Sequence, residues 1–206
     1  MHVLLAYDSR HGATAEIARV IAEELKRSGR EVTVLRVGQV RDVRPFDAVV
    51  LGSAVYYGRW LGGARRFLKR FETALRARPL WVFESGPLDV SADDGRAKLA
   101  RGSSEQAARL GARDHVVFGG RFTREDAGPM MRRAMASGKA GEYGDHRNFE
   151  RVRTWARSID RGLGAPAHET SVPSPSTTQT ASRSRAETSV PLSSKLQRTL
   201  QRFRRA

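Results

Sequence analysis

At 206 residues with a formal net charge of +15, the chain is long enough to bury a core in one ordinary domain, and its charge points to an anionic partner: substrate, lipid surface or nucleic acid. The alternative is an even spread of arginine over a solvated surface, and clustering decides between the two. The absence of cysteine excludes disulfides, thiol redox chemistry and thiolate-held metal, so any electrons this protein moves require a bound organic cofactor. No stretch approaches the roughly 20 apolar residues of a membrane-spanning helix. Met1-His2 runs straight into a strand pattern without a basic region or small-residue cleavage site, which predicts a cytoplasmic protein.

The first element is the apolar run Val3-Leu4-Leu5-Ala6, of the kind buried in a parallel sheet. The turn Ser9-Arg10-His11-Gly12-Ala13-Thr14 follows, and then a helix whose apolar face is Ile17, Ala18, Ile21, Ala22 and Leu25. A strand that turns through Ser, Gly and Thr into a helix N-terminus can enclose a phosphate with hydroxyls and unpaired N–H groups. An ordinary turn with Thr14 as helix cap is an equal reading of this segment alone. No G-x-G-x-x-G and no G-x-x-x-x-G-K-[ST] is present, so a mononucleotide site is what remains.

Strand two is predicted over residues 31–37, after the stop Ser28-Gly29, and strand three over 48–52. Leu61, Ala64, Phe67, Leu68, Phe71 and Leu75 recur at helical spacing before Pro79. Strand four is predicted at 80–84, a helix at 103–110 and strand five at 115–119. A short helix is predicted around Met130, Met131 and Met135, and a terminal helix through Phe149, Val152, Trp155, Ala156, Ile159 and Leu163. Alternating strands and helices predict a doubly wound parallel α/β sheet with helices on both faces, whose ligand sits at the carboxyl ends of the strands.

Beyond Gly164 the composition changes: residues 165–194 hold 8 Ser, 5 Thr and 4 Pro, too polar for a core, so disorder is expected. The division is a folded domain over 1–163 and a tail over 164–206. The tail ends in a basic amphipathic stretch, Leu192, Leu196, Leu200 and Phe203 among Lys195, Arg198, Arg202, Arg204 and Arg205. It has three readings open: contact with an anionic membrane surface, contact with a partner, or no stable helix. The pentapeptide Glu-Thr-Ser-Val-Pro at 169–173 and again at 187–191 is too short to be a structural repeat.

The motif S-x-x-G-x-T after the first strand resembles the FMN phosphate loop of the flavodoxin-like family. Gly52-Ser53-Ala54-Val55-Tyr56-Tyr57-Gly58-Arg59-Trp60, together with the late segment G-D-H-R-N-F-E-R-V-R-T-W-A from Gly144 to Ala156, narrows the resemblance to the branch that includes menaquinone-dependent protoporphyrinogen dehydrogenases of heme biosynthesis. The resemblance spans about residues 1–163 and implies a five-stranded flavodoxin-like sheet. By it, Ser9, Arg10, His11, Gly12, Ala13 and Thr14 hold the FMN phosphate. Ala54, Val55, Tyr56, Tyr57 and Gly58 flank the flavin ring, and Ser85, Gly86, Pro87 and Leu88 form a second wall with free backbone donors. His11 stands where flavodoxins commonly carry Thr, and Arg10 adds a charge they usually lack.

Oxidation of protoporphyrinogen IX with a quinone acceptor is the activity this resemblance implies, with the flavin carrying the chemistry and the protein placing it. Asp8, Asp89 and Asp93 border the predicted site, where lone acids most often serve as caps. His146 reads as structural, at the start of the last helix. No metal site is expected, and no nucleic-acid motif appears among the basic residues. A non-enzymatic flavodoxin-type electron carrier and a cofactor-free, charge-driven binding module are the competing readings.

Overall fold

β-Branched and leucine-rich runs form the centre of the fold. β1 (His2–Asp8), β2 (Glu31–Arg36), β3 (Ala48–Tyr56), β5 (Leu80–Ser85) and β6 (Asp114–Phe118) make a parallel sheet in the order β2-β1-β3-β5-β6. The computed structural model describes residues 1–86, 92, 97–100, 102–138 and 143–164. The predicted tail therefore lies outside the described residues, as do Pro87, Leu88, Asp89 and Asp93.

Alternation along β1 shows why the sheet is covered on both faces. Val3 and Leu5 pack against Ile17, Ile21 and Leu25 of α1 (Ala13–Arg27) and Val152, Ala156 and Ile159 of α6 (Phe149–Leu163). Leu4 and Ala6 point the other way, into Ala64, Phe67 and Leu68 of α2 (Gly62–Arg70), Leu75 of α3 (Glu72–Arg76) and Ala107 of α4 (Ser103–Arg109). All four β1 side chains are fully buried, as a strand between two helical layers requires. The register aligns Val3 with Ala48 and with Val32, which brings the carboxyl ends of β1 and β3 to the same edge.

Three elements differ from the sequence expectation. β3 runs nine residues, through Tyr56, because β4 (Arg59–Trp60) folds back antiparallel and pairs Tyr56 with Arg59, so the predicted loop is a hairpin. The hydrophobic run 61–75 is two helices, broken at Phe71, whose φ of −107° and ψ of 18° leave helical geometry. After β6, the chain makes a two-stranded ladder, β7 (Arg121–Phe122) with β8 (Gly144–Asp145), around α5 (Pro129–Ala136). The methionine helix is thus present, and the flanking ladder was not predicted.

The last helix starts with the Asn148 side chain accepting from the Arg151 N–H, and ends at Gly164 with φ 78°. The buried Arg30 reaches its C-terminal turn, donating to Asp160 Oδ1 at 2.6 Å, to the Asp160 carbonyl and to the Gly164 carbonyl.

Candidate flavin site

The carboxyl edge of the sheet gathers three segments that are far apart in sequence. The first is the loop from β1 to α1. Gly12 occupies the N-cap of α1 with φ 89°, a left-handed geometry that glycine adopts without steric cost. It supplies no side-chain cap, and Thr14 lies inside the first turn, so the reading of Thr14 as helix cap does not hold. Ser9 Oγ accepts the Gly12 N–H at 3.1 Å, which folds the loop on itself. Thr14 is buried, and its hydroxyl has no hydrogen-bond partner among the described residues. Uncapped N–H groups at a helix start beside a hydroxyl in its first turn are a donor set that suits a phosphate.

The second segment is the β3–β4 hairpin. Tyr57 (φ 52°) and Gly58 (φ 71°) are its two turn residues, both left-handed, as a two-residue turn matching strand twist demands. Tyr57 is 83% exposed, whereas Tyr56 is half-buried beneath the Arg10 guanidinium, 5.7 Å from its ring centroid. Burial pushes the Tyr56 phenol above its ordinary value, against the opposing charge of Arg10. Ala54 is buried in the strand, and Val55 is half-buried. Of the predicted ring-flanking residues, Tyr56 and Tyr57 are the ones that line the cleft.

The third segment is the excursion after β6, which sequence reading did not assign to the site. Phe122, Asp126, Pro129 and Met130 close a cleft of about 240 Å³ with Arg10, His11, Tyr56 and Tyr57. His11 Nδ1 lies 3.0 Å from Asp126 Oδ1, and the His11 ring stands edge-on to Phe122 at 5.8 Å between centroids. Burial would raise the Asp126 carboxyl. Hydrogen bonds from the Thr123 N–H and hydroxyl, with the charges of His11 and Arg121, hold it below the usual carboxylate range. The sequence signals for this wall were Gly119-Gly120 and Thr123-x-x-Asp126. A Cβ on Gly119 would meet the His146 carbonyl oxygen at 1.8 Å, so glycine is what lets the 143–148 segment return there. His146 accordingly works through its backbone, its N–H donating to the Gly120 carbonyl.

Above Gly12, two arginines converge on one carboxylate: Glu16 receives Arg121 at 3.2 Å and Arg147 at 2.7 Å. Arg121 Nε is buried without a partner among the described residues. The predicted second wall is placed differently. Ser85 is the buried last residue of β5, paired with Ala54, and the Gly86 N–H donates to the Phe118 carbonyl, so that donor is not free. The reason is that the β5–β6 pairing continues one residue further than the sequence pattern indicated.

Asp8 does serve as a cap: its Oδ2 accepts the Ala64 N–H at 2.9 Å at the start of α2, and a Cβ on Gly63 would strike it at 2.4 Å. Glu84, buried at the end of β5, accepts the Trp60 indole N–H at 2.8 Å and the Ala100 N–H at 2.9 Å. His115 Nε2 lies 2.9 Å from the same carboxylate but off the line of a hydrogen bond. Glu84 thus ties the hairpin to the sheet. Glu84→Gln replaces one acceptor with a donor facing donors and is expected to cost about 2 kcal/mol, read from the urea midpoint at unchanged slope.

A parallel sheet with helices on both faces, and with this loop and the aromatic hairpin at the carboxyl edge of its strands, defines a doubly wound α/β protein. The chain belongs to the flavodoxin domain family, whose model matches residues 4–148. It is 32% identical over 81 residues to protoporphyrinogen IX dehydrogenase [quinone] of Escherichia coli K12, a match covering 38% of this chain and 45% of that protein. The matched segment therefore spans less than half of that curated relative's length. Flavodoxin 2 from Bacillus cereus superposes with a TM-score of 0.54 at 20% identity, covering 79% of this chain and 99% of that one. Rubredoxin oxygen:oxidoreductase from Desulfovibrio gigas gives 0.54 at 18% identity, covering 79% of this chain and 36% of that one. These two structures share the fold. Among the described residues no helix is long and apolar enough to cross a membrane, and no cluster of three metal-binding side chains occurs.

Proposed function

We propose that this chain is an FMN-dependent oxidoreductase that oxidises protoporphyrinogen IX with a quinone as acceptor. The observation that carries flavin binding is the β1–α1 loop: a left-handed Gly12 N-cap without a side-chain cap and the Thr14 hydroxyl in the first turn of α1, beside an exposed aromatic hairpin tip. Ser9, Gly12, Ala13 and Thr14 would hold the phosphate through hydroxyls and N–H groups, with Arg10 and His11 on the cleft side. Tyr56, Tyr57 and Gly58 would bound the ring, joined by Ala54 and Val55 beneath and by Ser85, Gly86, Pro87 and Leu88 opposite. When bound, the flavin supplies the two-electron acceptance that no side chain of this cysteine-free protein can provide. Phe122 and Met130 would exclude water from the cleft, and the positive surface would draw in a substrate bearing carboxylates.

The choice of porphyrinogen and quinone is supported by the partial relative in Escherichia coli. The folded domain would end near residue 163, with the basic tail a point of contact with an anionic surface.

Purified protein is titrated with FMN, desalted, and its spectrum recorded, with any retained flavin identified after denaturation. Near-equimolar FMN is the expected result, followed by flavin bleaching on addition of protoporphyrinogen and recovery with menaquinone. No retained flavin at saturation would leave the fold without this chemistry.

A further inference from the structure

Positive charge is not spread evenly over this surface. On the α1–α6 side acids are interspersed with the cations, and some pair: Arg27 and Arg157 with Glu24, and Arg153 with Glu150. α2 is the opposite case. Its inward positions Ala64, Phe67 and Leu68 are buried, and its outward positions are Arg65, Arg66, Lys69 and Arg70, with no acid anywhere in the helix. Arg59 precedes them in β4. Among the described residues none of Arg59, Arg65, Arg66 and Lys69 has a carboxylate within ion-pairing distance.

Arg65 and Arg66 also lie where they do the helix no good. Both guanidiniums fold back over Gly62 in the first turn, Arg66 Nη1 coming within 3.2 Å of the position of a Cβ there, against the positive end of the helix dipole. Two exposed apolar groups stand on the rim of the cleft, one of them on the hairpin that carries Arg59. Tyr57, 83% exposed, is held at the hairpin tip two residues before Arg59, and Met130 is 82% exposed. An aromatic with a polar tip and a long apolar side chain next to unpaired cations is the arrangement that suits a lipid–water interface.

We propose that the outward face of α2, with Arg59 and the Tyr57 tip, docks on an anionic lipid surface, which brings the cleft to the membrane. The charge of each cation is available to lipid headgroups because no described acid consumes it, and Tyr57 and Met130 enter the interfacial layer. Docking places the mouth of the cleft where an apolar reactant dissolved in the bilayer can reach it.

The test is sedimentation of the full-length protein with phosphatidylcholine vesicles, with and without phosphatidylglycerol. Binding is expected only to the anionic vesicles, with release as salt is raised. Arg65→Gln, Arg66→Gln and Lys69→Gln combined should lower partitioning at least about 100-fold. The exchange Arg65→Lys, Arg66→Lys and Lys69→Arg should preserve it. Tyr57→Ala should weaken binding several-fold without changing its salt dependence. A parallel variant carrying Lys195→Gln, Arg198→Gln and Arg202→Gln should keep most of the binding. Equal binding to both vesicles, full retention by the α2 triple variant, or loss confined to the tail variant would overturn the proposal. So would stripping of the protein from vesicles by RNA that the α2 variant no longer binds, since the partner would then be nucleic acid.

Discussion

Gly12→Val is expected to lower FMN affinity at least about 100-fold, equivalent to some 2.7 kcal/mol, while leaving the sheet folded. Gly12 has φ 89°, and a β-branched residue is a steric outlier there. The left-handed conformation costs about 1–2 kcal/mol for any L-residue, so the loop will relax toward another geometry. That relaxation breaks the Ser9 contact to the Gly12 N–H and scatters the donors at the start of α1. Binding is read by flavin fluorescence quenching, with far-UV circular dichroism as the control for folding. Affinity within threefold of the parent would show that this loop is not the phosphate site.

Arg30→Ala is expected to have the opposite profile, a loss of about 3 kcal/mol of stability with flavin affinity unchanged. The side chain is fully buried and satisfies Asp160 Oδ1 and the carbonyls of Asp160 and Gly164 at the end of α6. Removing it leaves a largely buried carboxylate without its cation and the last turn of a core helix uncapped. For a domain of this size the melting temperature should fall by roughly 6–12 °C. Arg30 stands before β2, at the edge of the sheet away from the cleft. Arg30→Lys should recover only part of the loss, because an ammonium cannot address the three acceptors as a planar fork does. A variant that lost flavin at constant stability would contradict this division between scaffold and site.

Much of this molecule is legible in local pattern. Val3 to Ala6 is a continuous apolar run because helices cover both faces of β1, and 3.6-residue spacing in α1 and α6 marks the faces that meet on the sheet. Ser9, Gly12 and Thr14 are readable for the same reason: a strand, a tight turn and a helix start are contiguous in the chain. Where the reading stopped short, the deciding contact was distant. Nothing local separates a loop at Ser53–Tyr56 from a strand; the pairing of Tyr56 with Arg59 across a left-handed Tyr57-Gly58 turn settles it. Likewise the Gly86 donor looks free until the Phe118 carbonyl, 32 residues on, takes it.

By itself, then, the sequence determined a cysteine-free, basic, doubly wound α/β chain with an anion-suited loop after its first strand, because composition, hydrophobic period and turn chemistry are properties of neighbouring residues. Only the tertiary structure decided the wall of the cleft and the sidedness of the charge. Asp126 reaches His11, and Arg121 and Arg147 reach Glu16, across more than 100 residues. Among the described residues the cations of α2 stand without an ion-pair partner, because Glu24 and Glu150, which pair with Arg27, Arg157 and Arg153, lie on the other face of the sheet. Such contacts depend on where the glycines at 119 and 120 let the chain return, a matter of packing that no local pattern encodes.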